Sequence, residues 1–180
     1  TIDLISKSRP DSVKLDITRI PMDDPLTFNL FCRADTIGVF QLESSGMKRL
    51  VSNMQPSAFE DIVAILALYR PGPLGSGMVE DYVQCKHKRK RVIFPHPLMA
   101  NILKETYGVM VYQEQIIQSV QVLAGFSLGQ ADLLRRAIGK KTVEILAEQR
   151  LQFVEGCLKN TKFVKLCPRE SNPENKANEI

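Results

Sequence analysis

Apolar positions recur at helical spacing from residue 22 to about residue 160, in stretches closed off by proline and glycine. Asp23 or Asp24 can accept from the free amides of an opening turn and Pro25 suits a first helical position, so a helix to about Cys32 is predicted, burying Leu26, Leu30 and Phe31. A serine in Glu43-Ser44-Ser45-Gly46 can cap a second helix ending near Met54, with Met47, Leu50, Val51 and Met54 on its apolar side. Between them, residues 37–42 form a short apolar stretch of irregular or strand character. Ser57-Ala58-Phe59-Glu60 has the capping-box pattern and opens a helix over 57–69. Its Phe59, Ile62, Val63, Ile65, Leu66 and Tyr69 are apolar on most faces, which predicts a helix in the middle of the domain.

Arg70-Pro71-Gly72-Pro73 stops that helix, because a proline disfavours helical geometry in the residue before it and donates no hydrogen bond. Gly75-Ser76-Gly77 restarts the chain into a helix from 78 to about 88, and Pro95 and Pro97 bracket His96 ahead of a short helix to Thr106. Residues 109–124 are long enough for a further helix, although 109–112 can begin as a strand. Ser127-Leu128-Gly129-Gln130 is a second capping-box pattern, starting a helix to Gly139, and Thr142 is placed to cap the last one, through Leu158. Residues 161–180 are polar and lack periodicity, which predicts an exposed or disordered tail. The expected fold is mainly α: a lead-in over 1–21, a helical body over 22–160, and the tail.

The longest apolar run, Ile62 to Tyr69, is far short of the roughly 20 residues needed to span a bilayer. With no signal-like segment at the start, the expected location is the cytoplasm and no membrane partner is expected. Cys32, Cys85, Cys157 and Cys167 lie far apart without a Cys-x-x-Cys pair, so reduced thiols are expected, and no metal site. Thr1 in place of an initiator Met predicts processing or excision from a longer polypeptide.

The carboxylate pairs Asp23-Asp24, Glu60-Asp61 and Glu80-Asp81 are adjacent in sequence, and neighbours on a helix diverge by about 100°, so none forms a shared acid/base or metal pair by itself. Gly139-Lys140-Lys141-Thr142 is no phosphate-binding P-loop: position 134 is leucine, and Lys141 separates the lysine from the hydroxyl. No catalytic residue is assigned in this chain.

The 24 lysines and arginines exceed the 20 acids by four, a mild excess that becomes informative through its placement. Lys86-His87-Lys88-Arg89-Lys90-Arg91 closes a helix; it reads either as a solvated helix end favoured by the helix dipole or as a contact for the phosphates of a polyanion, without saying which polyanion. Arg136 and Lys140, four apart, project from one helix face, and Arg135 can complete a three-pronged phosphate cradle. The alternative is an ion pair from Arg136 to Asp132 at i−4.

Five blocks then stand in order: Gly38-Val39-Phe40-Gln41-Leu42-Glu43-Ser44-Ser45-Gly46-Met47; Ala67-Leu68-Tyr69-Arg70-Pro71-Gly72-Pro73-Leu74 with Ser76-Gly77-Met78-Val79; Lys86-His87; Glu105-Thr106-Tyr107-Gly108 through Tyr112-Gln113-Glu114-Gln115; and Ala131-Asp132-Leu133-Leu134-Arg135-Arg136-Ala137-Ile138-Gly139-Lys140-Lys141. Over about residues 15–160 the chain resembles the bacterial replicative DNA polymerase III alpha subunit, in the helical fingers that follow the palm. That resemblance implies template-directed addition of deoxynucleotides to a primer 3′ end, with primer-template DNA, the incoming deoxynucleoside triphosphate (dNTP) and other replicase subunits as partners. It implies Arg135 and Arg136, supported by Lys140, at the β and γ phosphates, with Arg70 as a further nucleotide-binding cation. Lys86 and His87 take structural or DNA-backbone roles by the same resemblance.

The family's catalytic carboxylates and the Mg2+ they hold belong to the palm, so this stretch alone is expected to be inactive and to bind no metal. Two departures stand out: Lys88-Arg89-Lys90-Arg91 follows Lys-His where the family usually has glycine, and residues 161–180 do not follow the family pattern. A non-catalytic helical module binding nucleic acid or a replication protein, or an inactive remnant, is the alternative reading.

Overall fold

The computed structural model describes residues 2–8, 16–168 and 172–180. The described residues form a mainly α fold of twelve helices, three short 3-10 turns and no strand. The chain divides into two compact units, Thr1–Val63 and Ala64–Ile180.

The first unit holds α1 (Ile2–Ser8), α2 (Pro25–Cys32), α3 (Ser45–Met54) and the opening of α4 (Phe59–Leu68). Asp24 caps α2 by accepting from the Thr27 amide at 2.8 Å, and Ser44 caps α3 by accepting from Met47. Met47, Leu50, Val51 and Met54 are buried as their spacing predicts. Helix α2 differs from expectation: none of its residues is fully buried, and Leu26 is 79% exposed. The short helix presents a single strip toward α3, and Leu26 falls outside it. Residues 37–42 are turns, closed by the buried Thr36 hydroxyl donating to the Leu42 carbonyl, with Ile37 and Phe40 facing solvent.

The start of α4 also departs from its sequence pattern. Asp61, not Glu60, gathers the free donors: its Oδ2 accepts from the Ser57 amide at 2.8 Å and the Ala58 amide at 3.1 Å. Helix α4 buries one side, with Ala64, Ile65 and Leu68 inaccessible while Phe59, Val63 and Leu66 are exposed.

In the second unit the proline-glycine turn coils into α5 (Pro71–Gly75), and Gly77, at φ +77°, leads into α6 (Met78–Lys86). Then come α7 (Ala100–Leu103), α8 (Gln113–Ala124), α9 (Leu128–Lys140), α10 (Val143–Lys159), α11 (Thr161–Leu166) and α12 (Pro173–Glu179). Helix α9 opens on the expected reciprocal cap: the Gln130 amide donates to Ser127 Oγ, and Gln130 Oε1 accepts from the Ser127 amide at 2.9 Å. Thr142 sits at the cap position of α10 but makes no side-chain cap bond. Helix α8 packs against α9 and α10, and α10 against α12. Gly156 permits the closest approach of α10 to the end of α8, since a Cβ there would overlap the Ala124 carbonyl oxygen.

The C-terminal segment, expected as an exposed tail, instead contributes to the core over 161–168 and 172–180. Phe163 is fully buried with Met99, Leu103, Leu123, Cys157 and Ala177, and its ring stacks on His96 at 4.4 Å. Asn160 explains the turn into it. Asn160 Nδ2 donates to the Val122 and Leu123 carbonyls at the end of α8, and Asn160 Oδ1 accepts from the Lys162 and Phe163 amides in the first turn of α11. Few apolar side chains suffice when they land in an existing core, which is why mean polarity misjudged this segment.

Candidate functional site

The cationic face of α9 is built around one carboxylate. Arg135 reaches back three residues and donates from Nε at 2.9 Å and Nη2 at 2.7 Å to Asp132 Oδ1; Arg136 reaches back four and places Nη2 2.7 Å from Asp132 Oδ2. Both contacts follow from the neighbour positions of a helix surface, and each guanidinium takes its own oxygen. The Arg135 hydrogen bonds, followed by the Arg136 charge, hold the Asp132 carboxyl below the usual carboxylate range. The ion pair considered for Arg136 is therefore present, and Arg135 shares it.

A second anchor comes from α8. Arg135 Nη1 donates to Gln113 Oε1 at 3.0 Å, which joins the Tyr112–Gln115 block to the Ala131–Lys141 block. Gln113 is held in turn by the turn before it. Gln115 is buried; its Oε1 accepts from the Val111 amide at 2.9 Å and the Tyr112 amide at 3.0 Å, and its Nε2 donates to Thr106 Oγ1 at 2.9 Å and the Ile102 carbonyl at 3.2 Å. The Thr106 hydroxyl donates in turn to the Val109 carbonyl at 2.6 Å. These bonds consume the donors and acceptors that a strand over 109–112 would have used, and α8 starts at Gln113 instead.

The two arginines differ in what they leave available. The Arg135 side chain, tied at three nitrogens, is 29% exposed, while that of Arg136 is 65% exposed and tied at one. Lys140, one turn on from Arg136, is exposed in the last turn of α9. Arg70 is exposed at the N-cap position of α5, with its amide donating to the Leu68 carbonyl at 2.8 Å. No described hydrogen bond or ion pair joins Arg70 or Lys140 to the Arg135–Arg136 pair.

The basic run leaves α6 through His87, and Lys88 turns the chain at φ +58°. The Arg89 and Lys90 amides both donate to the Gln84 carbonyl, fixing the loop on the helix end. Lys86 and His87 are half-buried, whereas Lys88, Arg89, Lys90 and Arg91 are exposed, and Lys90 pairs with Asp81 at 2.7 Å. Gly108, at φ +85°, lies so close to the Ile93 carbonyl oxygen that no side chain fits.

Among the described residues no three His, Cys, Asp or Glu side chains converge as a set of metal ligands. No described helix is long and apolar enough to cross a membrane. Burial pushes the Cys157 thiol up to about 12, which keeps it protonated and unreactive. Sequence reasoning offered Asp132 to Arg136 but missed Gln113 as the holder of Arg135 and the sharing of Asp132 by Arg135. The second was legible in the i+3 and i+4 spacing; the first, across 22 positions, needed the packing of α8 on α9.

The arrangement is a helical scaffold that presents one fixed and one largely exposed arginine side by side on α9. Residues 1–161 match the family model of the bacterial DNA polymerase III alpha subunit finger domain, and the chain belongs to that family. It is 51% identical over 164 residues to DNA polymerase III subunit alpha of Haemophilus influenzae, covering 88% of this chain and 14% of that protein. The corresponding figures are 47% over 166 residues, 88% and 14% for the Escherichia coli K12 protein of the same name. For that of Aquifex aeolicus they are 49% over 146 residues, 81% and 13%. The chain thus spans about one seventh of the length of these curated relatives.

Proposed function

We propose that the chain forms part of the fingers of a template-directed DNA polymerase that extends a primer 3′ end in bacterial chromosome replication. In this reading α9 receives the triphosphate of the incoming dNTP. The observation that carries it is the pair of adjacent guanidinium groups oriented by one carboxylate, with Arg136 and Lys140 still exposed on the same helical face. Asp132 and Gln113 orient Arg135, and Arg136 and Lys140 meet phosphate oxygens. Arg70 adds a further cation from its rigid turn. The loop Lys86, His87, Lys88, Arg89, Lys90 and Arg91 lies along the phosphates of primer-template DNA.

Phosphoryl transfer depends on positioning and on electrostatic stabilisation, and fixed cations at the triphosphate supply both. The magnesium ions of such an enzyme need carboxylates from elsewhere in the polymerase, and these residues alone carry out no transfer. Other replicase subunits bind mostly through other regions, and the setting is the bacterial cytoplasm.

The test is single-turnover incorporation by the polymerase that carries this sequence. Arg136→Ala is expected to lower kcat/KM for dNTP at least tenfold, about 1.4 kcal/mol, with Arg136→Lys intermediate. Unchanged incorporation refutes the assignment.

A further inference from the structure

The loop that leads into α8 has no part in the function proposed above, yet two buried polar side chains are committed to its shape. Gln115, in the first turn of α8, is 7% exposed and Thr106 1% exposed. The Gln115 amide is fully used: Oε1 accepts from the Val111 and Tyr112 amides, and Nε2 donates to Thr106 Oγ1 and the Ile102 carbonyl. A primary amide has two donors and one oxygen with two lone pairs, so this set is complete and fits one orientation alone. The Thr106 hydroxyl accepts from Gln115 and spends its own proton on the Val109 carbonyl at 2.6 Å.

The backbone fixes the same loop. The Gly108 amide donates to the Leu103 carbonyl and the Val109 amide to the Thr106 carbonyl, with Tyr107 at φ +55° and Gly108 at φ +85°. A buried network with every member paired holds one geometry, because a displacement leaves some buried group without a partner. The network ends where the cationic face begins. Gln113 follows directly on Tyr112, whose amide Gln115 holds, and Gln113 Oε1 accepts from Arg135 Nη1 at 3.0 Å. The Gln113 side chain is exposed, so the backbone beneath it decides where that oxygen stands.

We propose that the buried Thr106–Gln115 pair is a positioning device for the incoming nucleotide: it sets the start of α8, through Gln113 the place of the Arg135 guanidinium, and across the shared Asp132 that of Arg136. This rests on the reading of α9 as the triphosphate helix and adds to it two residues that touch no substrate. A misplacement of about 1 Å in a group that orients substrate is enough to slow a reaction by about 100-fold, so a buried hydroxyl can act on the site without reaching it.

The test is single-turnover incorporation by the polymerase that carries this sequence. Thr106→Val keeps the shape and removes the hydroxyl; it is expected to raise KM for dNTP about fivefold or more with the Kd for primer-template unchanged. Thr106→Ser retains the hydroxyl and should bring KM back to within about twofold of wild type. A hydroxyl that only stabilised the fold would lower the fraction of active enzyme, read as the amplitude of incorporation, and leave KM where it was; that result overturns the proposal. Gln113→Met breaks the link itself at an exposed position. Alone it should raise KM as Thr106→Val does, and adding Thr106→Val to it should change KM by less than about twofold, since both act through one contact. Effects that multiply overturn the proposal, and so does an unchanged KM in Gln113→Met, even where Thr106→Val yields no soluble enzyme. Arg136→Ala separates the two levels: a loss of about tenfold there beside an unchanged KM in Thr106→Val refutes the positioning role alone, whereas no loss in Arg136→Ala removes the triphosphate reading and the positioning role with it.

Discussion

Gln115→Leu removes a side chain whose two ends are both in use and replaces it with one of similar size that can use neither. The Val111 and Tyr112 amides lose their common acceptor, and the Ile102 carbonyl loses its donor, at a position 7% exposed. At about 1 kcal/mol for each of three backbone groups, the loss is about 3 kcal/mol, and the added apolar burial of leucine returns on the order of 1 kcal/mol. A net loss of about 2 kcal/mol lowers Tm by about 4–8 °C in a chain of this size. Thermal unfolding followed by circular dichroism measures it. The consequence reaches the cationic face, because Gln113 leaves the same turn to hold Arg135 at 3.0 Å. A Tm within about 1 °C of wild type would refute the reasoning, since it would mean that the three groups find other partners at no cost.

His96 Nδ1 accepts from the Leu98 amide, so Nε2 carries the proton toward the Phe163 carbonyl; burial first, and the Lys176 charge as well, hold the ring's pKa below 6.5. The unfolded chain therefore binds the extra proton more readily: this contribution to stability is fully present above about pH 6.5 and is lost as pH falls through the lowered native value, and a urea-unfolding series in pH should show that loss diminished in His96→Asn. Gly156→Ala places a methyl group on the Ala124 carbonyl and should cost about 1–3 kcal/mol in urea unfolding despite alanine's better helix propensity; an unchanged midpoint would show that α8 and α10 can part freely. Replacing Lys88, Arg89 and Arg91 with serine should reduce the slope of log affinity against log salt for DNA by about 2–3, at about 0.7–0.9 per cation, in filter-binding titrations; an unchanged slope would remove this loop from the DNA path.

Helices whose signal was local were legible from the chain itself. Ser44, Asp24 and the Ser127–Gln130 pair cap where their sequence patterns place them, because capping is settled within four residues. The errors fall where a partner distant in sequence decides. Phe163 belongs to a polar segment but stacks on His96, 67 positions earlier, and a window of neighbours holds no trace of that. Asp61 displaced Glu60 at the start of α4 for a nearer reason, since both carboxylates could serve and only the path of Ser57 and Ala58 selected between them. In the candidate site the spacing of Arg136 and Lys140 was readable, whereas the anchoring of Arg135 by Gln113 required two helices to be packed.

The Asp132 pairing bears on the functional reading more than its energy suggests. An exposed ion pair contributes about 0–1 kcal/mol, too little to reserve Arg136 against a polyanion that offers several charges at once. What the carboxylate supplies is direction. Without it, two adjacent long side chains would sample many rotamers, and a ligand would have to order both. With Asp132 and Gln113 in place, Arg135 is already fixed, and Arg136 starts from one oxygen with most of its side chain in solvent. A phosphate can then take over the free donors of Arg136 without an empty counter-ion site being left behind, because Arg135 still satisfies Asp132 through Oδ1. Asp132→Asn should accordingly weaken dNTP use by the polymerase although it removes a negative charge from the phosphate's surroundings. A pure counter-ion role predicts the opposite sign, and the direction of the change in KM for dNTP decides between them.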